Sequence, residues 1–298
     1  MPPSSAKRSP RPSASPSRRS SRAVGTPQRL VNDDDWGMAA ASSYKGAGLT
    51  ATPSGKKTNG AAMFAKGGST IVGVTDLVAI VAAAYYWFGA LKISSFARIT
   101  ASVTDALTSS PTETWALVGF IAVAQAGLYS YVWYKPSAFK KMCKALPLKL
   151  LGKSAIDVFS ILVALSKSAQ QLAVLNWAGK LDVDSIVSLL TEAPSNTAAL
   201  VLLVVGSALN FAVYRAIGKA GVYYGFKLGA KVPWATGFPF NVGFRHPQYV
   251  GSFISQLGVL LLLATPATLE SGLLLVALSW FAMYATSAAI EAAGDNKK

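Results

Sequence analysis

The chain has 298 residues, of which 52% are hydrophobic and only 14% charged, against about 25% charged in a typical soluble domain. With a mean hydropathy of +0.38, that excludes an ordinary soluble globule. There is one Cys and one His, so an intrachain disulfide framework is impossible and no metal site is expected, since both need several ligands.

The net charge of +15, from 28 Lys and Arg against 13 Asp and Glu, is unevenly placed. Residues 1–69 carry 11 basic residues against Asp33, Asp34 and Asp35, a net of +8, and the remainder carries 17 against 10. The opening MPPSSAKRSPRPSASPSRRSSRAVGTPQR is built of Ser, Pro and Arg and cannot bury enough apolar surface to offset the entropy of ordering. A disordered basic tail over 1–69 is the expectation. Its charge can meet anionic lipid or nucleic acid, help to orient a membrane body, or belong to an organelle transit peptide, although its prolines break an amphipathic helix. No apolar h-region follows the basic start, so no secretory signal is read, and Pro2 excludes myristoylation.

From about residue 70, apolar runs of membrane-spanning length recur. Candidate spans fall near 71–91, 114–134, 155–177, 197–217, 248–265 and 268–290. The third is interrupted by Asp157, Lys167, Gln170 and Gln171, which suits a helix facing the bundle interior or one lying in the interface. Lys and Arg count 11, 2, 6, 1 and 4 in the tail and successive loops. That alternation follows the positive-inside rule for six spans with both termini cytosolic. Tyr and Trp cluster at span ends as an aromatic belt does, and the continuous apolar runs carry no β-barrel signal. The fold class is therefore all-α: a polytopic membrane helix bundle of about six spans, with a disordered N-terminal tail.

Polar information is densest in 206–252, GSALNFAVYRAIGKAGVYYGFKLGAKVPWATGFPFNVGFRHPQYVGS. Its glycines permit close backbone approach to a ligand, and Pro233, Pro239 and Pro247 oppose one uninterrupted helix. So long a connection tends to be functional. His246 either helps to cap the helix starting at Pro247 or belongs to a site. The residues alone leave both open and name no reaction.

The pieces LNFAVY (209–214), GVYYGFKLG (221–229), VPW (232–234), FPFNV (238–242) and RHPQYVGS (245–252) together resemble the signature region of phospholipid N-methyltransferases. They are most similar to those of plants and fungi, which carry out the last two methylations towards phosphatidylcholine. The RHPxYxG piece alone also occurs in isoprenylcysteine carboxyl methyltransferases and sterol-reductase relatives; GVYYG and FPFNV narrow the resemblance. It covers roughly the C-terminal half, so residues 70–153 read as additional helices with a basic loop, and 154–298 as the methyltransferase-like domain, at least four spans forming the family core. Two motifs depart from it. A single Gly206 stands where animal relatives have GxG, and IEAAGD stands where animal relatives have a Glu pair and plant ones an ESKED-like run.

What the resemblance implies is S-adenosyl-L-methionine as cofactor and a membrane phospholipid as substrate, with the bilayer as partner and no nucleic acid. The expected membrane is the endoplasmic reticulum, with plastid or mitochondrial membranes as alternatives. Gly206, Gly218, Gly221, Gly225 and Glu291 are expected at the cofactor. Arg245, His246 and Tyr249 are the catalytic candidates: Arg245 to pair with a carboxylate or phosphate, His246 to accept a proton. Tyr223, Tyr224 and Trp234 are expected to hold the substrate's methylated ammonium by cation–π contact, as is Tyr249, or else to anchor at the interface. The competing readings are a methyltransferase for another acceptor, such as an isoprenylcysteine carboxylate, and a non-catalytic lipid-binding membrane protein.

Overall fold

A computed structural model describes residues 73–93, 95–192, 196–233 and 235–295. The tail expected over 1–69, and Trp234, lie outside the described residues. Within them, every regular element is helical.

Six longer helices make up the bundle: α1 (Val74–Ala90), α3 (Thr112–Tyr134), α5 (Ala155–Trp177), α7 (Thr197–Val222), α9 (Pro247–Leu262) and α11 (Leu273–Asp295). They fall where the apolar runs predict spans. Four helical stretches are long and apolar enough to cross a membrane: Thr112–Tyr134, Ala155–Trp177, Thr197–Leu228 and Leu273–Ala293. α1 has 17 residues and α9 has 16, at or just below the shortest usual span.

Shorter helices lie between them: α2 (Phe96–Ser109), α4 (Pro136–Met142), α6 (Val183–Glu192), α8 (Gly225–Leu228) and α10 (Pro266–Glu270). These fall in segments read from sequence as loops or span ends. The last span, expected from 268, starts only after Gly272. That glycine has φ +100, and a Cβ there would meet Ser110 Oγ at 2.2 Å, so the chain turns sharply before α11.

α9 sits innermost, against α7, α1 and α11, while α11 packs along α3. Its apolar side chains Val250, Phe253, Ile254, Leu257, Leu260 and Leu261 are buried, so a helix of about 24 Å is covered along its length by longer ones. The α7–α9 contact is made backbone to backbone. A Cβ on Gly206 would lie 2.5 Å from the Gly251 carbonyl, and one on Gly258 would lie 2.9 Å from the Ala199 carbonyl. Small residues allow this approach, which suits a membrane interior where packing rather than hydrophobic expulsion drives association.

α5 turns some of its polar residues inward, Gln170 being buried. Ser154 and Asp157 form a reciprocal cap at its start: Ser154 Oγ accepts from the Asp157 amide at 3.2 Å, and Asp157 Oδ2 from the Ser154 amide at 3.1 Å. Deeper in, Gln170 Nε2 donates to the Ile121 carbonyl at 3.0 Å, and Gln171 Nε2 to Gln256 Oε1 at 2.9 Å. The residues that interrupt this span in the sequence thus include the ones that tie it to α3 and α9.

The far end is closed by Trp177 Nε1 donating to Thr114 Oγ1 at 2.9 Å, and by Thr114 Oγ1 donating to the Ser271 carbonyl at 2.6 Å. At the other end α7 breaks at Gly218, whose φ of 64 and ψ of −177 are non-helical. Just past the break, Lys219 Nζ pairs with Asp157 Oδ1.

Replacing Gly258 by Val places methyl groups where Ala199 and Leu203 already pack. We expect destabilisation of about 1–3 kcal/mol or more, read as a lower unfolding temperature of the purified protein in detergent.

Candidate active site

Beyond the Gly218 break, the chain makes its tightest turn at Tyr224, a non-glycine residue at φ 52. Such a conformation costs about 1–2 kcal/mol and persists where the surroundings over-determine it. Here the Tyr224 ring meets Tyr129 and Trp133 edge-on at 5.1–5.3 Å and stacks on Phe159 at 5.9 Å. Its hydroxyl donates to Glu291 Oε1 at 2.6 Å.

Glu291, near the end of α11, is only 9% exposed. A carboxylate in that position requires donors, and the same Oε1 also accepts from the Tyr249 hydroxyl. The two tyrosine oxygens are 3.3 Å apart. Glu291 Oε2 faces His246 Nδ1 at 3.5 Å, within ion-pair reach. The His246 ring stacks on Tyr249, which stacks in turn on Tyr284. Three segments, 224, 246–249 and 291, therefore meet around one carboxylate.

The cluster opens onto a cleft lined by Trp133, Gly221, Phe226, Phe240, Arg245 and Gln248, among others. Lys227 Nζ stands over the Trp133 ring, 3.9 Å from its centre, so that aromatic face takes an ammonium group. A second hollow of about 450 Å³ lies at the far end of the bundle, between Glu113, Phe120, Asn176 and Trp177. It gathers no comparable set of proton-carrying groups. Among the described residues, no three His, Cys, Asp or Glu side chains are grouped to hold a metal.

Arg245, His246, Tyr249, Tyr224, Gly221 and Glu291, all candidates from the sequence, thus border one cleft. The remaining candidates stand elsewhere. Gly206 lies in the α7–α9 crossing against Gly251 and Ser255, away from the cleft lining. Gly218 forms the α7 break, with open space where its side chain would be. Gly225 is packed against Ala220, whose carbonyl a Cβ would meet at 2.6 Å. Tyr223 turns towards Phe159 and is not part of the lining.

At the cleft the Tyr249 ring lies between His246 and Tyr284 and the Tyr224 ring stacks on Phe159, while both hydroxyls hold Glu291. His246 is the N-cap residue of α9 but makes no side-chain cap bond. Sequence reasoning did not single out Trp133 or Phe226. Trp133 sits in an aromatic cluster typical of a membrane interface, which masked it. Asp76 was also missed. It is 1% exposed and accepts from the backbone amides of Arg245 and His246 at 3.0 and 3.2 Å. Its signal was a lone acid inside an apolar run.

Fold and site together define a polytopic helical membrane protein with a tyrosine-held carboxylate and a histidine at one end of its bundle. Residues 195–293, which contain most of that site, match the phospholipid methyltransferase family. The chain is 52% identical over 59 residues to the phosphatidyl-N-methylethanolamine N-methyltransferase of Arabidopsis thaliana, covering 20% of this chain and 35% of the relative. It is 33% identical over 112 residues to the phosphatidylethanolamine N-methyltransferase B of Dictyostelium discoideum, covering 37% and 54%. The chain thus spans between about a third and about a half of the length of these curated relatives. No solved structure matches it.

Because Glu291 and the two hydroxyls satisfy one another, their deletions should not add. Glu291→Ala strands two buried donors and is expected to cost about 1–3 kcal/mol. Adding Tyr224→Phe and Tyr249→Phe should restore much of that loss in a detergent-unfolding cycle.

Proposed function

We propose that the protein is an S-adenosyl-L-methionine-dependent N-methyltransferase. It converts phosphatidyl-N-methylethanolamine and phosphatidyl-N,N-dimethylethanolamine to phosphatidylcholine in the endoplasmic reticulum membrane. The observation that carries this reading is the convergence of His246, Tyr249, Tyr224 and Glu291 on one cleft, within the stretch that matches the phospholipid methyltransferases. The match, and the names of both relatives, favour a lipid amine over a carboxylate acceptor.

The residues present fit the methyl donor. Its α-amino group and ribose hydroxyls suit the buried acceptor Glu291, its carboxylate suits Arg245, and its adenine suits the aromatic wall. When bound, it supplies a methyl group activated by a sulfonium. The chain's own task is then positioning, desolvation and proton removal. A lipid amine attacks only as a free lone pair, so a proton must leave it. His246 is the group placed to take that proton, and the Glu291 carboxylate 3.5 Å away stabilises the positive ring that results. Tyr224 and Tyr249 keep the carboxylate aimed by holding its other oxygen. Phe240, in the same cleft lining, offers an aromatic face to the growing methylated ammonium. The cleft lies at the edge of the bilayer, so lipid enters from the side and the donor from water.

The basic segment 135–153 supports a cytosolic position for the site. Its helix α4 packs on α8 at the same end of the bundle, and Lys-rich loops stay cytosolic. On this reading both termini are cytosolic too.

Membranes holding the full chain should transfer label from S-adenosyl-L-methionine to monomethylated phosphatidylethanolamine and yield phosphatidylcholine. An unlabelled lipid fraction contradicts the proposal. Glu291→Ala and His246→Ala should each slow the reaction by about 10²-fold or more, and unchanged rates in both contradict the site. Phe240→Ala should raise KM for the dimethylated acceptor by about 3-fold to 30-fold, as loss of a cation–π contact predicts.

A further inference from the structure

The first described helix reaches into this site from outside the stretch that matches the family. α1 begins at Val74, and its third residue, Asp76, turns its carboxylate onto the chain around 242–246. Asp76 Oδ2 accepts from the Gly73 amide at 2.9 Å and from the Arg245 amide at 3.0 Å, and Oδ1 accepts from the His246 amide at 3.2 Å. One residue earlier, Thr75 Oγ1 donates to the Val242 carbonyl at 2.9 Å. Gly243 lies under that hydroxyl with φ +91, and a Cβ there would come within 2.6 Å of it. Side chains of two successive residues of α1 thus grip both polarities of the same short backbone stretch.

The grip falls where α9 starts. The His246 carbonyl accepts from the Tyr249 and Val250 amides at 3.0 and 3.1 Å, opening the helix, while the His246 side chain caps nothing. In a capping box, an acidic side chain within the same helix satisfies the amide of the N-cap residue. Here that acid comes from another helix. It serves α1 as its own cap and α9 as a borrowed one, and its charge lies at the positive end of α9. Holding both amides also fixes the backbone from which the Arg245 and His246 side chains leave.

We propose that Asp76 is a positioning residue of the site: its carboxylate sets the backbone of Arg245 and His246, and so the placing of the imidazole against Glu291. This rests on the methyltransferase reading for its kinetic consequence but not for its structural one. The sequence supplies a reporter independent of activity, because His246 is the only histidine in the chain. Its side chain is 10% exposed, so its carbethoxylation by diethylpyrocarbonate, followed by mass spectrometry, reports how well it is held.

The full chain is compared with Asp76→Asn, Asp76→Glu and Thr75→Val in native membranes. Asn keeps the volume of Asp but replaces one acceptor oxygen by a donor, which opposes an amide N–H. We expect Asp76→Asn to speed His246 modification about tenfold. It should lower kcat by about 10-fold to 100-fold, as misplacement by an ångström does, while KM for the methyl donor changes by less than about threefold. Asp76→Glu should recover part of both losses, which a purely volumetric role would not produce. Unchanged His246 modification in Asp76→Asn overturns the proposal, and so does an equal loss in Asp76→Glu. If Asp76→Asn fails to accumulate, Thr75→Val decides, because it loosens the same grip by one hydrogen bond. Faster His246 modification supports the proposal and an unchanged rate overturns it. Should the unaltered chain label no lipid, the methyltransferase reading fails, while the modification rates still decide the role of Asp76.

Discussion

A carboxylate held in the interior of an apolar bundle is a liability unless donors surround it, and the arrangement around Glu291 follows from that constraint. Two tyrosine hydroxyls and an imidazole supply the surroundings. They come from separate stretches of chain, so satisfying one charge obliges the turn after α7, the start of α9 and the end of α11 to meet. The strained conformation of Tyr224 is one consequence. The aromatic stack from His246 through Tyr249 to Tyr284 is another.

A second buried carboxylate acts one layer out. Asp76 addresses backbone amides rather than side chains, and it joins α1 to the segment that presents the imidazole. The glycines complete this division of labour. Gly206, Gly251 and Gly258 let α9 lie directly against the α7 backbone, so the short central helix has a fixed axis as well as a fixed start. The buried carboxylates Asp76 and Glu291 and the imidazole gather at one end, and apolar packing holds the rest.

Much of the fold was legible because a bilayer imposes a length and a hydropathy on any helix that crosses it. The runs at 114–134 and 197–217 needed only that rule. The run at 155–177, interrupted by polar residues, also needed the alternation of Lys and Arg between loops. Of those residues Gln170 is buried in the bundle, as the cost of exposing it to lipid requires. The helices α2, α4 and α6 escaped because a criterion of continuous apolarity passes over short segments in which polar and apolar residues alternate. At the site, Glu291, His246, Arg245 and Tyr249 were candidates because the resemblance carries them; their spacing alone names no role. The packing around Tyr224 and Tyr249 was not legible. A ring's availability to a cation depends on what stacks against its faces, which is decided by residues such as Phe159 and Tyr284 that are distant in the chain. Gly206 and Gly225 show the same limit. The sequence identifies where a backbone can approach closely, but only packing decides whether a helix or a ligand does so.

In the proposed function Glu291 is both the organiser of the site and the acceptor for the methyl donor, and binding of the donor's demethylated product tests this without any turnover. Titration of the purified protein in lipid nanodiscs with S-adenosyl-L-homocysteine should give saturable binding. In Glu291→Gln the affinity should weaken about tenfold or more, equivalent to about 1.4 kcal/mol, with the helical content retained. Equal affinity in the two proteins, or no binding by the unaltered chain, would contradict the account.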